Sequence, residues 1–319
     1  MVDGRTEPDS GGGSPVSPVT AAAPVASIII PHLNQPDALI RCLTSLERQD
    51  FEGGTVEIIV VDNGSRQTLD AVAKQFPGVR FLAQSEPGPG LARNVGVAAA
   101  SADILLFIDA DCRAHPQWIS SAVKALTSAD IVGGDVQIDI VDPARLTALE
   151  GYESVFAYRQ SLYIRREGFS GTGNLAMMRR IFDAVGPFGG IGIAEDRDWG
   201  QRAGQLGHIT HYVPEMIVYH PARKSFDELA EKWRRHVAHD LAKHRSSGGS
   251  ALGWRLRALA MIASIVPHGL SVLSSPRLSG FGNRLSAVGL LARIRWFRCA
   301  EMLRQARTTG VGAASGWNR

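Results

Sequence analysis

The stretch LLFIDADCR, residues 105–113, runs four apolar residues into two carboxylates one residue apart, Asp109 and Asp111. A strand built for burial gains nothing from paired acids at its end unless they bind something. In an extended segment residues i and i+2 point the same way. The spacing therefore predicts that both carboxylates reach one site while Ala110 faces away. Two such acids repel unless a cation joins them. Mg2+ or Mn2+, held by one or two carboxylates together with substrate phosphates, suits the pair. An acidic turn closing a buried strand is the plainer alternative.

Working outward, the pattern upstream repeats. VASIII (25–30), VEIIVVD (56–62), VRFLAQ (79–84) and DILLFIDAD (103–111) are short apolar or β-branched runs and read as strands. Between them DALIRCLTSLERQ (37–49), TLDAVAKQF (68–76) and GLARNVGVAAASA (90–102) carry apolar residues at helical spacing. Strands alternating with helices predict βαβ crossovers and a mostly parallel sheet. Ligands of such sheets sit at the carboxyl ends of the strands. Pro31-His32-Leu33-Asn34, Asp62-Asn63-Gly64-Ser65 and Asp109-Ala110-Asp111 all fall there.

Further on, DIVGGDVQI (130–138) reads as a strand, 144–167 as helical, and GTGNLAMMRR (171–180) as a glycine turn before an apolar stretch. IAEDRDWGQRAGQLG (193–207) opens with acids and continues as a helix. HITHYVPEMIVYH (208–220) reads as one or two strands. SFDELAEKWRRHVAHDLAKHR (225–245) reads as a helix, with Ser225 and Glu228 at capping-box spacing.

The bulk numbers agree with one large α/β domain plus an extension. The chain has 319 residues, 45% of them apolar. Its three cysteines, Cys42, Cys112 and Cys299, are too few and too scattered for a disulfide framework or a zinc pattern. That fits a reducing cytoplasm. The net charge of +3 hides a division: residues 221–319 carry 17 basic against 5 acidic side chains, residues 1–220 carry 17 against 26. A basic tail points to a phosphate-rich partner, nucleic acid or an anionic membrane surface. Residues 1–24, rich in Gly, Pro, Ser and Ala, have no apolar run behind a basic start. The expectation is a disordered lead-in rather than a secretory signal.

Taken in order, SIIIPHLNQPDALIRCLTSLERQ, VEIIVVDNGS, GPGLARNVGVAAASADILLFIDADC, GNLAMMRR, EDRDWGQR and VYH resemble the inverting family 2 glycosyltransferases. The matching stretches span about residues 25–245. The resemblance implies a GT-A fold, a Rossmann-like sandwich around a mostly parallel sheet. It also implies a nucleotide-sugar donor, usually a UDP-sugar, a divalent Mn2+ or Mg2+ at the Asp-x-Asp, and one-step inversion at the anomeric carbon.

Within that resemblance each residue takes a role. Asp62 matches the family's base-binding Asp and can accept from the uracil N–H; an Asx-turn in DNGS is the alternative. Pro31 and Asn34 lie in the loop that would wall the nucleotide pocket, where His32 stands in place of the family's usual small polar residue. Arg93 is expected at the diphosphate or ribose, unless it is an exposed helical arginine. Asp109 and Asp111 are the diphosphate and metal acids, and His220 is a third metal ligand. Glu195 and Asp196 open a helix, where acids also serve the dipole. Inversion needs a general base for the acceptor hydroxyl; the family match makes it Asp196, with Glu195 orienting acceptor or base. Asp198 is an extra acid nearby. Arg179, Arg180, Arg223 and Lys224 are candidates for diphosphate or lipid phosphate, or a solvated basic face.

Two glycine patterns compete. GPGLAR (88–93) lacks the third small residue of a dinucleotide fingerprint, and GTGNLA (171–176) lacks a preceding strand, which argues against a nicotinamide enzyme. In the tail, 258–276 contain no charged residue but are interrupted by Pro267, His268, Gly269 and serines. They precede LLARIRWFRCAEMLRQAR (290–307). That composition predicts amphipathic helices in the plane of an anionic membrane, ahead of a helical pair packed on the domain or a true span. The processive Q-x-x-R-W element is absent, since the nearest helix reads EKWRRHVAHD (231–240).

The expectation is therefore a lead-in (1–24), a glycosyltransferase domain (25–245) and a membrane-associating basic helical region (246–319). It would transfer a single sugar to a saccharide or polyprenyl-diphosphate-linked acceptor in surface or exopolysaccharide assembly. It would sit at the cytoplasmic face of the plasma membrane. A non-catalytic nucleotide-sugar-binding module and a nucleotidyltransferase are the alternatives; PHLNQPD has no glycine or basic residue for the latter's loop. Nucleic-acid binding is disfavoured because the tail holds no recognition motif.

Overall fold

The computed structural model describes residues 23–307. Its first half follows the hydrophobic pattern closely. β1 (Ala26–His32), β2 (Val56–Asp62), β3 (Val79–Ala83) and β4 (Ile104–Ile108) alternate with α1 (Pro36–Glu47), α2 (Asp70–Gln75) and α3 (Pro89–Ala99). Ile28, Ile29, Ile30, Leu105, Leu106 and Phe107 are fully buried, as strands covered by helices on both faces must be. α1 starts with Pro36, whose missing N–H costs nothing in a first turn. It then buries Leu39, Cys42, Leu43 and Leu46.

The second half holds β5 (Arg113–Ala114), α4 (Trp118–Ala125), β6 (Ile131–Asp139), α5 (Ala148–Phe156), α6 (Gln160–Glu167) and β7 (Asn174–Met178). α7 (Arg179–Val185), α8 (Glu195–Gln205), β8 (Thr210–Pro221) and α9 (Phe226–Ser246) follow, then α10 (Ala251–Ala263), α11 (Ile265–Leu273) and α12 (Phe281–Arg307). One sheet runs in the order β3-β2-β1-β4-β7-β6-β8-β5. The pairs β1–β2, β1–β4, β2–β3 and β6–β8 are parallel. β7 lies antiparallel between β4 and β6, and β5 antiparallel on β8. The fold is therefore the expected α/β GT-A sandwich with a mostly parallel sheet.

Asn174 locks the inserted strand. It is fully buried. Its Nδ2 donates to the carbonyls of Asp135 at 2.7 Å and Met216 at 2.8 Å, and its Oδ1 accepts from Trp118 Nε1 at 2.8 Å. The register of β6 on β8 shifts between Gly134 and Asp135. A Cβ on Gly134 would meet Met216 O at 2.0 Å, so only glycine lets the bulge close.

Several expectations change. The strand expected over 103–111 ends at Ile108, and Asp109–Asp111 form a turn in which the Cys112 N–H donates to Asp109 O at 3.0 Å. The i, i+2 alternation therefore does not apply to the two acids. Residues 148–167 form two helices, because the chain turns extended at Ala157 (φ −85°, ψ 157°) and left-handed at Tyr158 (φ 47°), and neither continues a right-handed helix. The complete capping box is at Thr147 and Glu150, whereas at α9 the Glu228 carboxylate accepts from Lys224 N, one residue short of the Ser225 cap. β5 and α4 were not anticipated. The lead-in, except residues 23 and 24, and residues 308–319 of the tail lie outside the described residues.

α12 packs on α5, α9 and α11 through Tyr152, Leu229, Val272, Ala287, Leu291 and Ile294. A neighbouring cluster joins α9, α10 and α12 through Val237, Leu241, Trp254 and Met302.

Replacing Asn174 with Ala strands two carbonyls and an indole N–H at once. Stranded buried groups cost about 1–3 kcal/mol each, with partial relaxation. The expected outcome is a loss of about 3 kcal/mol in a urea titration, with the m-value unchanged.

Candidate active site

The organising side chain is Arg93 on α3. Its helix comes close to the 188–190 loop because a Cβ on Gly90 would meet Gly189 O at 2.3 Å. The Arg93 side chain is only 4% exposed, and its two terminal nitrogens face two acids. Nη2 lies 2.6 Å from Asp109 Oδ1 and Nη1 lies 3.2 Å from Glu195 Oε1. Arg93 thus ties the turn after β4 to the first turn of α8. It was expected at the donor; the structure commits its guanidinium to two acids of the cleft.

The GTGN loop closes the same space. A Cβ on Gly173 would sit 2.5 Å from Asp109 Oδ2, and one on Gly171 would sit 3.7 Å from Asp196 Oδ2. Sequence reasoning had set this motif aside as a dinucleotide decoy. Gly173 serves close approach instead, and a Cβ on Gly171 would meet Gln160 Nε2 at 2.9 Å.

Asp111 faces His220 at the end of β8, with Oδ2 3.4 Å from Nε2. His220 Nδ1 lies 2.8 Å from the Pro221 carbonyl, which can only accept. Nδ1 therefore carries the proton and Nε2 presents a lone pair. Tyr158 Oη lies 2.9 Å from that Nε2 and donates to it. Burial pushes the Asp111 carboxyl above its usual range; His220 counters this and Asp109 adds to it. The Tyr158 hydroxyl fills that lone pair here; a cation shared by Asp111 and His220 would take its place. Asp111, His220 and Cys112 form a group with metal-binding spacing. The Cys112 thiol, pushed well up by burial and by Asp109 and Asp111, stays neutral. An oxygen-preferring cation fits Asp111 and His220 better than the sulfur. Sequence reasoning missed Tyr158: a lone tyrosine between two helices gives no signal.

Glu195, Asp196 and Asp198 occupy the first turn of α8. Asp198 pairs with Arg202 one turn on, at 2.9 Å. Among the described residues Asp196 forms no ion pair, and its Oδ1 accepts from the Arg197 N–H at 2.7 Å. Burial, then the charge of Glu195, raises its pKa. A raised carboxylate is better matched to proton abstraction near neutral pH.

At the β1 and β2 ends, Asp62 accepts from Ser65 Oγ at 2.5 Å, His32 Nδ1 at 3.0 Å and Ser65 N at 3.2 Å. His32 Nε2 accepts from the Gln35 N–H at 3.1 Å, so its Nδ1 is the donor. Burial would raise the Asp62 pKa, but the bonds from Ser65 and His32 outweigh it and hold the carboxylate below its usual range. Asn34, at φ 56°, accepts from Arg66 N at 2.8 Å. A 380 Å³ pocket beside this loop is lined by His32, Asn34, Ser65 and Arg66 among others. Pro31 is half-buried within β1, opposite Val61 of β2.

Of the basic candidates, Arg179 caps α3 by donating to the carbonyls of Val97, Ala100 and Ala102. Arg180 pairs with Asp130 and Arg223 with Glu153. Those three are engaged within the fold.

The Asp196 pKa is raised in the folded chain, so the folded state holds that proton more tightly than the unfolded one. Its penalty is absent below the unfolded value of about 3.9 and grows as pH rises through the folded value. Asp196→Asn is therefore expected to melt above the wild type at pH 7, the gap closing below about pH 4. Scanning calorimetry across that range checks it.

The sequence model for glycosyl transferase family 2 matches residues 27–186. The glycosyltransferase AglE of Haloferax volcanii is 33% identical over 222 residues, covering 67% of this chain and 72% of AglE. The succinoglycan biosynthesis protein ExoO of Rhizobium meliloti is 30% identical over 132 residues, 40% of this chain and 36% of ExoO. Among solved structures, the mannosyltransferase PcManGT from Pyrobaculum calidifontis, in complex with GDP-Man and Mn2+, aligns with a TM-score of 0.53. The alignment has 17% identity over 89% of this chain and 86% of that one, and shows a shared fold. With the family match over half its length and AglE matched over most of both chains, this protein belongs to glycosyl transferase family 2.

Proposed function

We propose that the chain transfers one sugar, with inversion, from a UDP-sugar to a hydroxyl of a saccharide or lipid-linked acceptor in surface-glycan synthesis. One observation carries this reading: Arg93 gathers Asp109 and Glu195 to one cleft beside Asp111, His220 and Asp196. Asp196 takes the acceptor proton as that oxygen attacks the anomeric carbon and the nucleoside diphosphate leaves. Glu195, fixed by Arg93, orients acceptor and base. Asp62, with its bonds from His32 and Ser65, receives the base N–H, and Pro31 and Asn34 wall the nucleotide. Asp111 and His220, with Asp109 beside them, would hold Mn2+ or Mg2+, the Tyr158 hydroxyl giving up His220 Nε2 to it. When bound, that cation neutralises charge developing on the leaving diphosphate. Arg93 acts as the bracket of the acids rather than as a donor contact.

The reading extends to location. Residues 25–245 carry donor chemistry, and the region from 246 lies on an anionic leaflet. The α10–α11 run, Ala251–Leu273, has a mean hydropathy of 1.6 and is long and apolar enough to cross a membrane by length and composition. A break at Ser264 and its sidedness favour a helix pair lying in the interface. Leu252, Leu256, Leu259, Val266, Leu270 and Leu273 are exposed along it. Arg245, Arg255 and Arg257, also exposed, supply the charge complement to anionic headgroups.

Thermal melts with UDP or GDP, with and without Mn2+, test the chemistry. UDP is expected to raise the melting temperature, Mn2+ to enlarge the shift, and Asp111→Ala to remove the metal-dependent part. A GDP shift instead would reassign the donor. No shift with either nucleotide would return the non-catalytic module to the front. In flotation with vesicles containing phosphatidylglycerol, the wild type is expected to rise with the lipid. The Leu256→Glu, Leu270→Glu double variant is expected to stay below.

A further inference from the structure

α9 and α12 meet over a group of cations almost empty of acid. Lys232 lies on α9; Arg295 and Arg298 lie on α12. Among the described residues none of these three forms an ion pair with a carboxylate; of the two acids that act on them, Glu153 is committed to Arg223, and Asp240 acts on Arg298 only through space. Arg295 is 8% exposed. Its Nη2 contacts His268 Nδ1 at 3.2 Å and its Nη1 reaches only Met261 Sδ, at 3.6 Å. The Arg298 guanidinium lies 3.9 Å over the Trp233 ring, and Lys232 Nζ lies 5.7 Å from the same ring. Four buried side-chain nitrogens among the described residues lack a hydrogen-bond partner, and three belong to this group: Trp233 Nε1, Arg295 Nε and Arg298 Nε.

Buried donors without acceptors and like charges without counterions each destabilise a fold. The molecule shows that cost. Burial, with Arg223 next, pushes Lys232 down to about 8, and burial, with Arg295 next, pushes Arg298 down to about 10. Unfavourable charge held in place is a mark of binding sites. The complement of several converging N–H donors on cations is a phosphate or diphosphate.

The surroundings decide whose phosphate. On one side the group adjoins the cleft: Arg223 acts electrostatically on both Lys232 and Tyr158, and Tyr158 bonds His220. On the other side Arg295 reaches Met261 of α10 and His268 of α11. Those are the helices whose outer face carries the exposed leucines. A ligand with a sugar at one end, a diphosphate in the middle and an apolar chain at the other matches that sequence of surfaces. We propose that Lys232, Arg295 and Arg298, with the Trp233 indole N–H, bind the diphosphate of a lipid-linked acceptor beside the catalytic cleft. This rests on the transferase reading for the identity of the ligand, while the anion site stands on its own geometry.

The test uses the whole chain as wild type, Lys232→Gln and Arg295→Gln. Melts are run in EDTA with inorganic pyrophosphate, geranylgeranyl diphosphate or geranylgeraniol in an uncharged detergent; a separate arm holds UDP with Mn2+. Pyrophosphate is expected to stabilise the wild type, the lipid diphosphate to do so at lower concentration, and the alcohol not at all. Both variants are expected to lose these shifts and keep the UDP–Mn2+ shift. Without any anion, Lys232→Gln is expected to melt above the wild type; a cation serving only to stack on Trp233 would make it melt below. Loss of the UDP–Mn2+ shift in the variants would assign the cations to the donor and overturn the acceptor site. Equal effects of free and lipid diphosphate would overturn the lipid assignment, and no diphosphate shift would overturn the site. A diphosphate shift without a UDP–Mn2+ shift in the wild type would sink the transferase reading and leave the anion site standing.

Discussion

The cleft depends on one guanidinium held between two carboxylates. Asp109, Asp111, Glu195 and Asp196 converge from the turn after β4 and the start of α8. Folding brings these negative charges together before any cation or substrate arrives. Arg93, with its side chain 4% exposed, is the counter-charge the fold supplies itself. Its planar fork can meet two carboxylates at once, which a lysine ammonium cannot do in the same fixed geometry. By taking Asp109 and Glu195, it leaves Asp111 and Asp196 without a lysine or arginine ion pair among the described residues. Both are the carboxyls whose pKa is raised. The bracket therefore sorts the four acids into two paired with Arg93 and two, Asp111 and Asp196, that are not.

That sorting explains where reading the sequence succeeded. The βα alternation up to residue 108 was legible because each strand is short, apolar and bounded, and each helix shows an apolar stripe. The strand ends then located Asp62, Asp109 and Asp111 without any coordinates. The reason first given for the acid pair was wrong in detail: strand alternation would aim both carboxylates one way. The turn closed by Cys112 N–H to Asp109 O sends one to Arg93 and the other to His220. A turn of this kind has no periodicity to read.

What was illegible has a common cause, which is long-range pairing. β7 enters antiparallel between two strands far from it in sequence, held by Asn174 bonds to residues 39 and 42 positions away. Tyr158 joins His220 across 62 positions. Lys232 and Arg295 look, along the chain, like ordinary solvated charges on two helices. Only packing of α12 on α9 leaves Arg295 buried and Lys232 half-buried. The tail was readable as basic and partly uncharged, but not as a layer built onto α5.

The uneven charge of the chain also gains a physical meaning from the fold. The acidic portion up to residue 220 contributes the carboxylates of the cleft, and the basic portion after it contributes the cations between α9 and α12. Tyr158 and His220 stand at the border, hydrogen-bonded to one another at 2.9 Å. A transferase that uses a cation for the diphosphate it releases needs acids there. One that holds a phosphorylated acceptor needs the opposite sign a short distance away. Like charges gathered on each side cost stability, and opposite charges facing across a narrow border would collapse into ion pairs if nothing intervened. The Tyr158 hydroxyl, bonded to the His220 imidazole, is a suitable divider because it is uncharged and fixed in position. The φ of 47° at Tyr158 is the strain the chain accepts to put that divider in place.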